Sequence, residues 1–348
     1  MPSYIPEKAD ELKRTAQAMV ADGKGILAMD ESNNTCCKRF QKEGIECTEE
    51  TRRQYREMLI ATPGIEDYVS GPILYDETIR QSAKDGTPFV KVLQNKGMVP
   101  GIKVDTGAKP LAGSPNEKVT EGLDGLRERV KEYYDMGARF AKWRAVITIG
   151  PGMPTRQCIE SNAHALARYA ALCQEGGLVP MIEPEVLIDG DHSIDDCELA
   201  TEATLNEVFN QIHRHNVLLE GLILKTSMVI SGKEASNRAG VQEVADRTVM
   251  TLQRTVPPAL GGVVFLSGGQ SDEESSAHLN AMNQRWGDQV PWRLTFSYAR
   301  AIQQAGLSKW AGKPENMDAA QKLVHWRAKL NGLASQGRYS EEMERQAA

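Results

Sequence analysis

Long apolar runs are missing from this 348-residue chain, and none reaches the roughly 20 residues that a membrane-crossing helix needs. The first residues are rich in Pro, Glu, Lys and Asp and contain no hydrophobic stretch, so they do not read as a secretory signal, and they carry too many acids for a transit peptide. A cytoplasmic protein is the expectation. The six cysteines include no C-x-x-C pair, so reduced thiols are expected throughout, with Cys36 and Cys37 as two packed or surface thiols. No H-E-x-x-H and no histidine–carboxylate cluster occurs. The one H-x-H, His213 and His215, falls in a helical pattern where i and i+2 diverge, so no metal site is expected. G-x-G-x-x-G after a strand and G-x-x-x-x-G-K-[ST] are also absent, which removes the common nucleotide-binding sheets. The formal charge of −6 argues against nucleic acid or a membrane surface as partner, though it leaves room for a basic pocket in an acidic shell.

What is present is a repeating alternation. Short β-rich runs lie at 25–29, 71–75, 100–104, 139–147, 178–184, 218–225, 261–266 and 292–296, about 40 residues apart. Between them, apolar residues step by three and four, as in 123–136, 157–173 and 240–256, the period of one helix face. Eight strands alternating with helices predict a closed (β/α)8 barrel of the α/β class. With no linker or break in composition, residues 1–348 read as one domain. An N-terminal helical extension covers 1–24 with its helix at 7–20, a further helix spans 318–333, and 334–348 form a polar tail.

Six of the runs end in polar pairs at i, i+2, which share a face of a strand: Asp30/Ser32, Lys103/Asp105, Lys142/Arg144, Glu183/Glu185, Lys225/Ser227 and Thr295/Ser297. The C-terminal mouth of a barrel is where active sites of this fold sit. A single pair would read as a solvated strand end. Lys142 and Lys225, however, emerge from apolar runs, where an ionisable group needs a partner. Two lysines beside Glu183 supply a like-charge neighbour and a proton shuttle, which is what Schiff-base chemistry on a ketone requires. Ser267-Gly268-Gly269 after the seventh run and Arg300 after the eighth suit a phosphate. Ser32, Thr35, Lys38, Arg39 and Lys103 on the other side suit a second one.

These segments resemble class I fructose-1,6-bisphosphate aldolase over residues 24–339. The motifs are GKGILAMDES (23–32), GIKVD (101–105), FAKWR (140–144), PMIEPEVL (180–187), LEGLILK (219–225), TVPPALGGVVFLSGGQS (255–271) and LTFSYAR (294–300). The resemblance implies a barrel enzyme that reversibly cleaves fructose 1,6-bisphosphate to dihydroxyacetone phosphate and glyceraldehyde 3-phosphate, without a metal or other cofactor, as a homotetramer. It gives Lys225 as the Schiff-base lysine and Glu183 as the acid/base, with Lys142 and Glu185 beside it. Asp30 takes the C4-hydroxyl proton. Ser267, Gly268 and Arg300 hold one phosphate and Ser32, Thr35 and Lys103 the other, while Lys38, Arg39 and Arg144 line the pocket; Gly269 and Ser297 belong to the same substrate-binding set. The alternatives are a related imine-forming aldolase or transaldolase on another phosphosugar, such as sedoheptulose 1,7-bisphosphate, and an inactive barrel serving as a scaffold. Two departures stand out. The chain ends Glu-Arg-Gln-Ala-Ala, with Tyr339 matching an internal tyrosine rather than the terminal one of animal and plant enzymes, so slower proton exchange at C3, or another proton donor, is expected. Ala299 replaces a usual glycine beside Arg300, which leaves its N–H in place.

Overall fold

The computed structural model describes residues 5–345, in which ten strands form. They are β1 (Gly25–Ala28), β2 (Val69–Leu74), β3 (Gly101–Lys103), β4 (Gly107–Pro110), β5 (Lys118–Glu121), β6 (Phe140–Ile147), β7 (Val179–Val186), β8 (Ile223–Thr226), β9 (Gly262–Phe265) and β10 (Leu294–Tyr298). All but β4 and β5 close into a parallel barrel in chain order, with β10 pairing back onto β1. The eight expected runs are these eight strands. The antiparallel β4–β5 ribbon was not anticipated, because GAKP and KVTE show no apolar alternation.

The sixth run needs correction. Residues Leu219–Gly221 form a 3-10 turn and the strand starts only at Ile223. The Gln174 amide donates to the carbonyls of Leu218 (2.8 Å) and Gly221 (3.1 Å), so a side chain satisfies backbone that would otherwise join the ladder. The expected helices lie close to their sequence positions, as Ala9–Met19, Leu126–Asp135, Arg156–Glu175, Val241–Thr255 and Met317–Ala334. The tail adds a short helix, Glu341–Glu344. Tyr339 is buried there, its hydroxyl donating to Glu344 at 2.9 Å.

Alternation along the strands sorts the side chains into an outer and an inner set. Ala141, Trp143, Ala145 and Ile147 of β6 face the helices and belong to the main core. The inner set is stacked in two levels. At the N-terminal end Ile26, Ala28, Ile73, Phe140, Val179, Met181, Ile223 and Val264 make an apolar floor. The helix Ala9–Met19 closes that end, with Leu12, Ala16, Met19 and the following Val20 packed onto the floor. Gly262 is required for this fit, since a Cβ there would stand 2.7 Å from Val20. The next inward residues toward the mouth are Asp30, Lys103, Lys142, Glu183 and Lys225, so charge begins where the floor ends.

One cysteine pair departs from the all-reduced expectation: Cys37 and Cys47 form a disulfide, with Cα atoms 5.3 Å apart. Their ten-residue spacing is no redox motif, and only the fold brings the segment after helix Asn33–Lys42 back beside Cys37 in its middle. Cys36, Cys158, Cys173 and Cys197 are free and buried.

Candidate active site

A cavity of about 550 Å³ opens at the C-terminal mouth. It is lined by Asp30, Glu31, Ser32, Thr35, Arg39, Tyr75, Lys103, Asp105, Lys142, Arg144, Glu183, Glu185, Lys225, Ser267, Gly268, Ser297 and Arg300, among others. Strand register sets the arrangement. Lys142 of β6 sits level with Lys103 of β3, and Arg144 with Glu183 of β7.

Glu183 is the hub. Lys225 Nζ stands 2.9 Å from its Oε1 and Lys142 Nζ 3.1 Å from its Oε2. Oε2 is buried and makes no aligned hydrogen bond, so the Lys142 contact is an ion pair only. Lys142 also pairs with Asp30 Oδ2 at 2.6 Å. All four groups are largely withdrawn from water. For Asp30, Glu183 and Lys142 burial alone would favour the neutral form, and the mutual pairing overturns it. Burial raises the Asp30 pKa, but Lys142 and Lys225 lower it more, to about 2. Burial likewise opposes ionisation of Glu183, and Lys142, Lys225 and Arg144 outweigh it, so this carboxyl is held below the usual range. Burial would lower Lys142, and Asp30, Glu183 and Asp105 lift it well above the usual lysine range. The pairing therefore favours the ionised forms of Asp30, Glu183 and Lys142.

Around this centre, Arg144 pairs with Glu185. Lys103 Nζ bonds Asp105 Oδ1 at 2.6 Å, and the same carboxylate accepts the backbone N–H of Gly107 (3.0 Å) and Arg144 (3.2 Å). Asp105 was read in the sequence only as half of a pair; here it locks Lys103 to the strand ends. Ser32 N-caps helix Asn33–Lys42, its hydroxyl accepting from the Thr35 N–H at 3.4 Å. Ser271 caps helix Asp272–Trp286 with a capping box to Glu274, and this rigid start presents the Ser267–Gly268 turn to the mouth. No backbone carbonyl or side chain among the described residues accepts the N–H groups of Ser267 and Gly268. Two unpaired N–H groups lining the same cavity as Arg300 suit an anion.

Two predicted binding residues fall outside the cavity. Lys38 is exposed, since Thr35 and Arg39 share a helix face at i, i+4 and Lys38 lies a quarter turn away. Gly269 turns behind the loop with φ +76° and packs on Ile188, where a Cβ would meet that side chain at 2.2 Å. Of the paired strand ends, Ser227 and Thr295 do not reach the cavity either. Thr295 points to the closed end and donates to the Lys24 carbonyl at 2.6 Å. Conversely Glu31, Tyr75, Thr106 and Gly107 line the mouth without having been singled out. Glu31 stands next to Asp30 and should face away by alternation, but the strand has ended at Ala28. Among the described residues no group of three His, Cys, Asp or Glu side chains converges as a metal site.

Comparison with known proteins identifies the family. A family profile described as fructose-bisphosphate aldolase class-I matches residues 11–348. The chain is 61% identical over 331 residues to a probable fructose-bisphosphate aldolase class 1 of Xanthomonas campestris, covering 95% of this chain and 98% of that protein. It is 50% identical over 340 residues to the chloroplastic fructose-bisphosphate aldolase 3 of Arabidopsis thaliana, covering 98% of this chain and 86% of the relative. The fold superposes with a TM-score of 0.95 on a Plasmodium falciparum fructose-bisphosphate aldolase solved with TRAP and a small-molecule inhibitor, at 49% identity, covering 97% of this chain and 98% of that one.

Proposed function

Because the chain belongs to the class I fructose-bisphosphate aldolase family, whose mechanism runs through a lysine Schiff base without a metal, we propose that Lys225 is that lysine and that Glu183 is its proton partner. The observation that carries this reading is their 2.9 Å contact inside a charged, buried cluster. Transfer of one proton from the Lys225 ammonium to Glu183 generates a neutral amine and a carboxylic acid in a single step. The transfer also removes one of the two lysine charges that hold Glu183 ionised, while Lys142 stays cationic. The amine adds to C2 of the ketose. Glu183 then returns the proton to the C2 hydroxyl, which leaves as water, and the iminium remains.

The iminium is the electron sink. When the C3–C4 bond breaks, its pair moves to C3 and neutralises the nitrogen as an enamine. Asp30 accepts the C4-hydroxyl proton. A carboxylate with a pKa of about 2 is a weak base, but the hydroxyl becomes strongly acidic as it turns into an aldehyde, so the transfer is downhill late in bond cleavage. Ser267, Gly268 and Arg300 hold one phosphate. Ser32, Thr35 and Lys103 hold the other, with Arg39 and Arg144 adding charge.

Borohydride reduction in the presence of dihydroxyacetone phosphate, followed by peptide mapping, tests the assignment. The adduct belongs on Lys225, and an adduct on any other lysine rejects it. Fructose 1,6-bisphosphate is favoured over a monophosphate by the two anion-binding groups on opposite sides of the mouth. The same reading carries a cytoplasmic homotetramer. Leu199 and Met250, exposed on helices Ile194–Arg214 and Val241–Thr255, are apolar groups that a subunit contact would cover. Light scattering at the mass of one chain would rule the tetramer out.

A further inference from the structure

We infer that Gln303 is a positioning residue that sets the spacing between the two anion-binding sides of the mouth, and so determines the preference for a bisphosphate over a monophosphate. This rests on the phosphate assignments proposed above, and the side chain itself does not line the cavity.

Gln303 lies one turn beyond Arg300 on helix Arg300–Trp310 and is fully buried. Its amide nitrogen donates to the carbonyl of Ala28, the last residue of β1, two positions before Asp30. Its amide oxygen accepts from Arg39 Nη1 at 2.5 Å and from the Tyr55 hydroxyl at 2.9 Å. One carboxamide thus joins three elements that each carry a mouth residue: β1 with Asp30, helix Asn33–Lys42 with Thr35 and Arg39, and its own helix with Arg300.

The rest of the network leaves Arg39 little freedom. Glu31 takes the Arg39 guanidinium on one oxygen and Arg56 on the other, the latter at 2.6 Å. Arg56 Nη2 also donates to the Glu31 carbonyl at 2.9 Å. Gln304 accepts Arg39 Nη2 at 3.3 Å. Among the described residues, only Gln303 connects this arginine to the opposite helix and to the strand at once. Its chemistry is also specified. A glutamate could accept both donors but could not donate to Ala28, and it would place a second carboxylate on Arg39 beside Glu31. An asparagine is one methylene short.

Two variants test the inference. Gln303→Met keeps the length and volume without the hydrogen bonds; Gln303→Glu keeps the acceptor oxygens and loses the donor. Both are expected to raise KM for fructose 1,6-bisphosphate roughly tenfold with kcat within about twofold. The kcat/KM for fructose 1-phosphate, which occupies one anion side, is expected to move by less than about twofold. An equal loss on both substrates, or an unchanged bisphosphate KM, overturns the positioning role. The two variants fail for different reasons, one losing polarity at constant volume and one adding charge at constant shape, so should either fail to fold the other decides. Borohydride trapping with dihydroxyacetone phosphate keeps the two readings apart. If the unaltered protein gives no Lys225 adduct, the active-site assignment falls; if the adduct forms equally in protein and variants, the kinetic split speaks to Gln303 only.

Discussion

Lys225 and Glu183 face each other at 2.9 Å across the junction of β8 and β7, each nearly sealed from water. A carboxyl so placed can accept and return the lysine proton, as the proposed mechanism requires. Glu183→Gln keeps the shape and abolishes the shuttle. The expected result is a fall in kcat of about 10²–10⁴-fold, the usual contribution of a positioned acid/base. Steady-state turnover of fructose 1,6-bisphosphate measures it, and a loss below tenfold would remove Glu183 from the role.

Lys225→Ala goes further, because in the proposed mechanism its amine forms the imine. Turnover should drop to background and the borohydride adduct disappear, while the fold persists by circular dichroism. Retained trapping in this variant would place the nucleophile elsewhere.

Lys142 bridges Asp30 and Glu183. Lys142→Met leaves two buried carboxylates without their common counter-ion, a change that typically costs about 3–5 kcal/mol. Both carboxyl pKa values should rise, so the acid limb of the kcat/KM profile should move to higher pH. A profile superimposable on that of the unaltered protein would contradict the arrangement.

Asp30 also predicts how the fold responds to acid. Its pKa is depressed from the ordinary 3.8 to about 2, so its pairing stabilises the folded state fully above pH 4. The contribution is about 2 kcal/mol and is lost as the pH falls from 4 through 2. Urea melts of the protein and of Asp30→Asn across this window should converge at the acid end. A difference that stays constant with pH would refute the linkage.

Arg300 makes no ion pair among the described residues and is exposed at the mouth. Arg300→Ala should leave stability within about 0.5 kcal/mol. It should raise KM for the bisphosphate by tenfold or more while the Lys225 adduct still forms. Calorimetry and kinetics together separate this from a folding defect.

Much of this was legible in the sequence because barrels are repetitive. Period-two strands ending in charge gave eight strands, the mouth, and the Lys142–Glu183–Lys225 group, since inward residues two apart must climb from floor to mouth. What escaped depends on events without a period. The Cys37–Cys47 bond needs the segment after helix Asn33–Lys42 to fold back onto the helix. The β4–β5 ribbon carries no apolar pattern. Lys38 and Arg39 are neighbours in sequence but differ by a quarter turn of helix, so only one reaches the cavity. Gln303 gave no signal at all, because one of two adjacent helical glutamines looks like surface until its three partners are known.

The helix Ala9–Met19, seated on the apolar floor, has a consequence for proton traffic. It makes the barrel a cul-de-sac. Solvent has one way in, and a seated bisphosphate stands in it. In the proposed mechanism the proton shuttled between Lys225 and Glu183 is then the protein's own, and the one that Asp30 takes comes from the substrate. Isotope from the medium should enter the products on the schedule of ligand release rather than of bond cleavage.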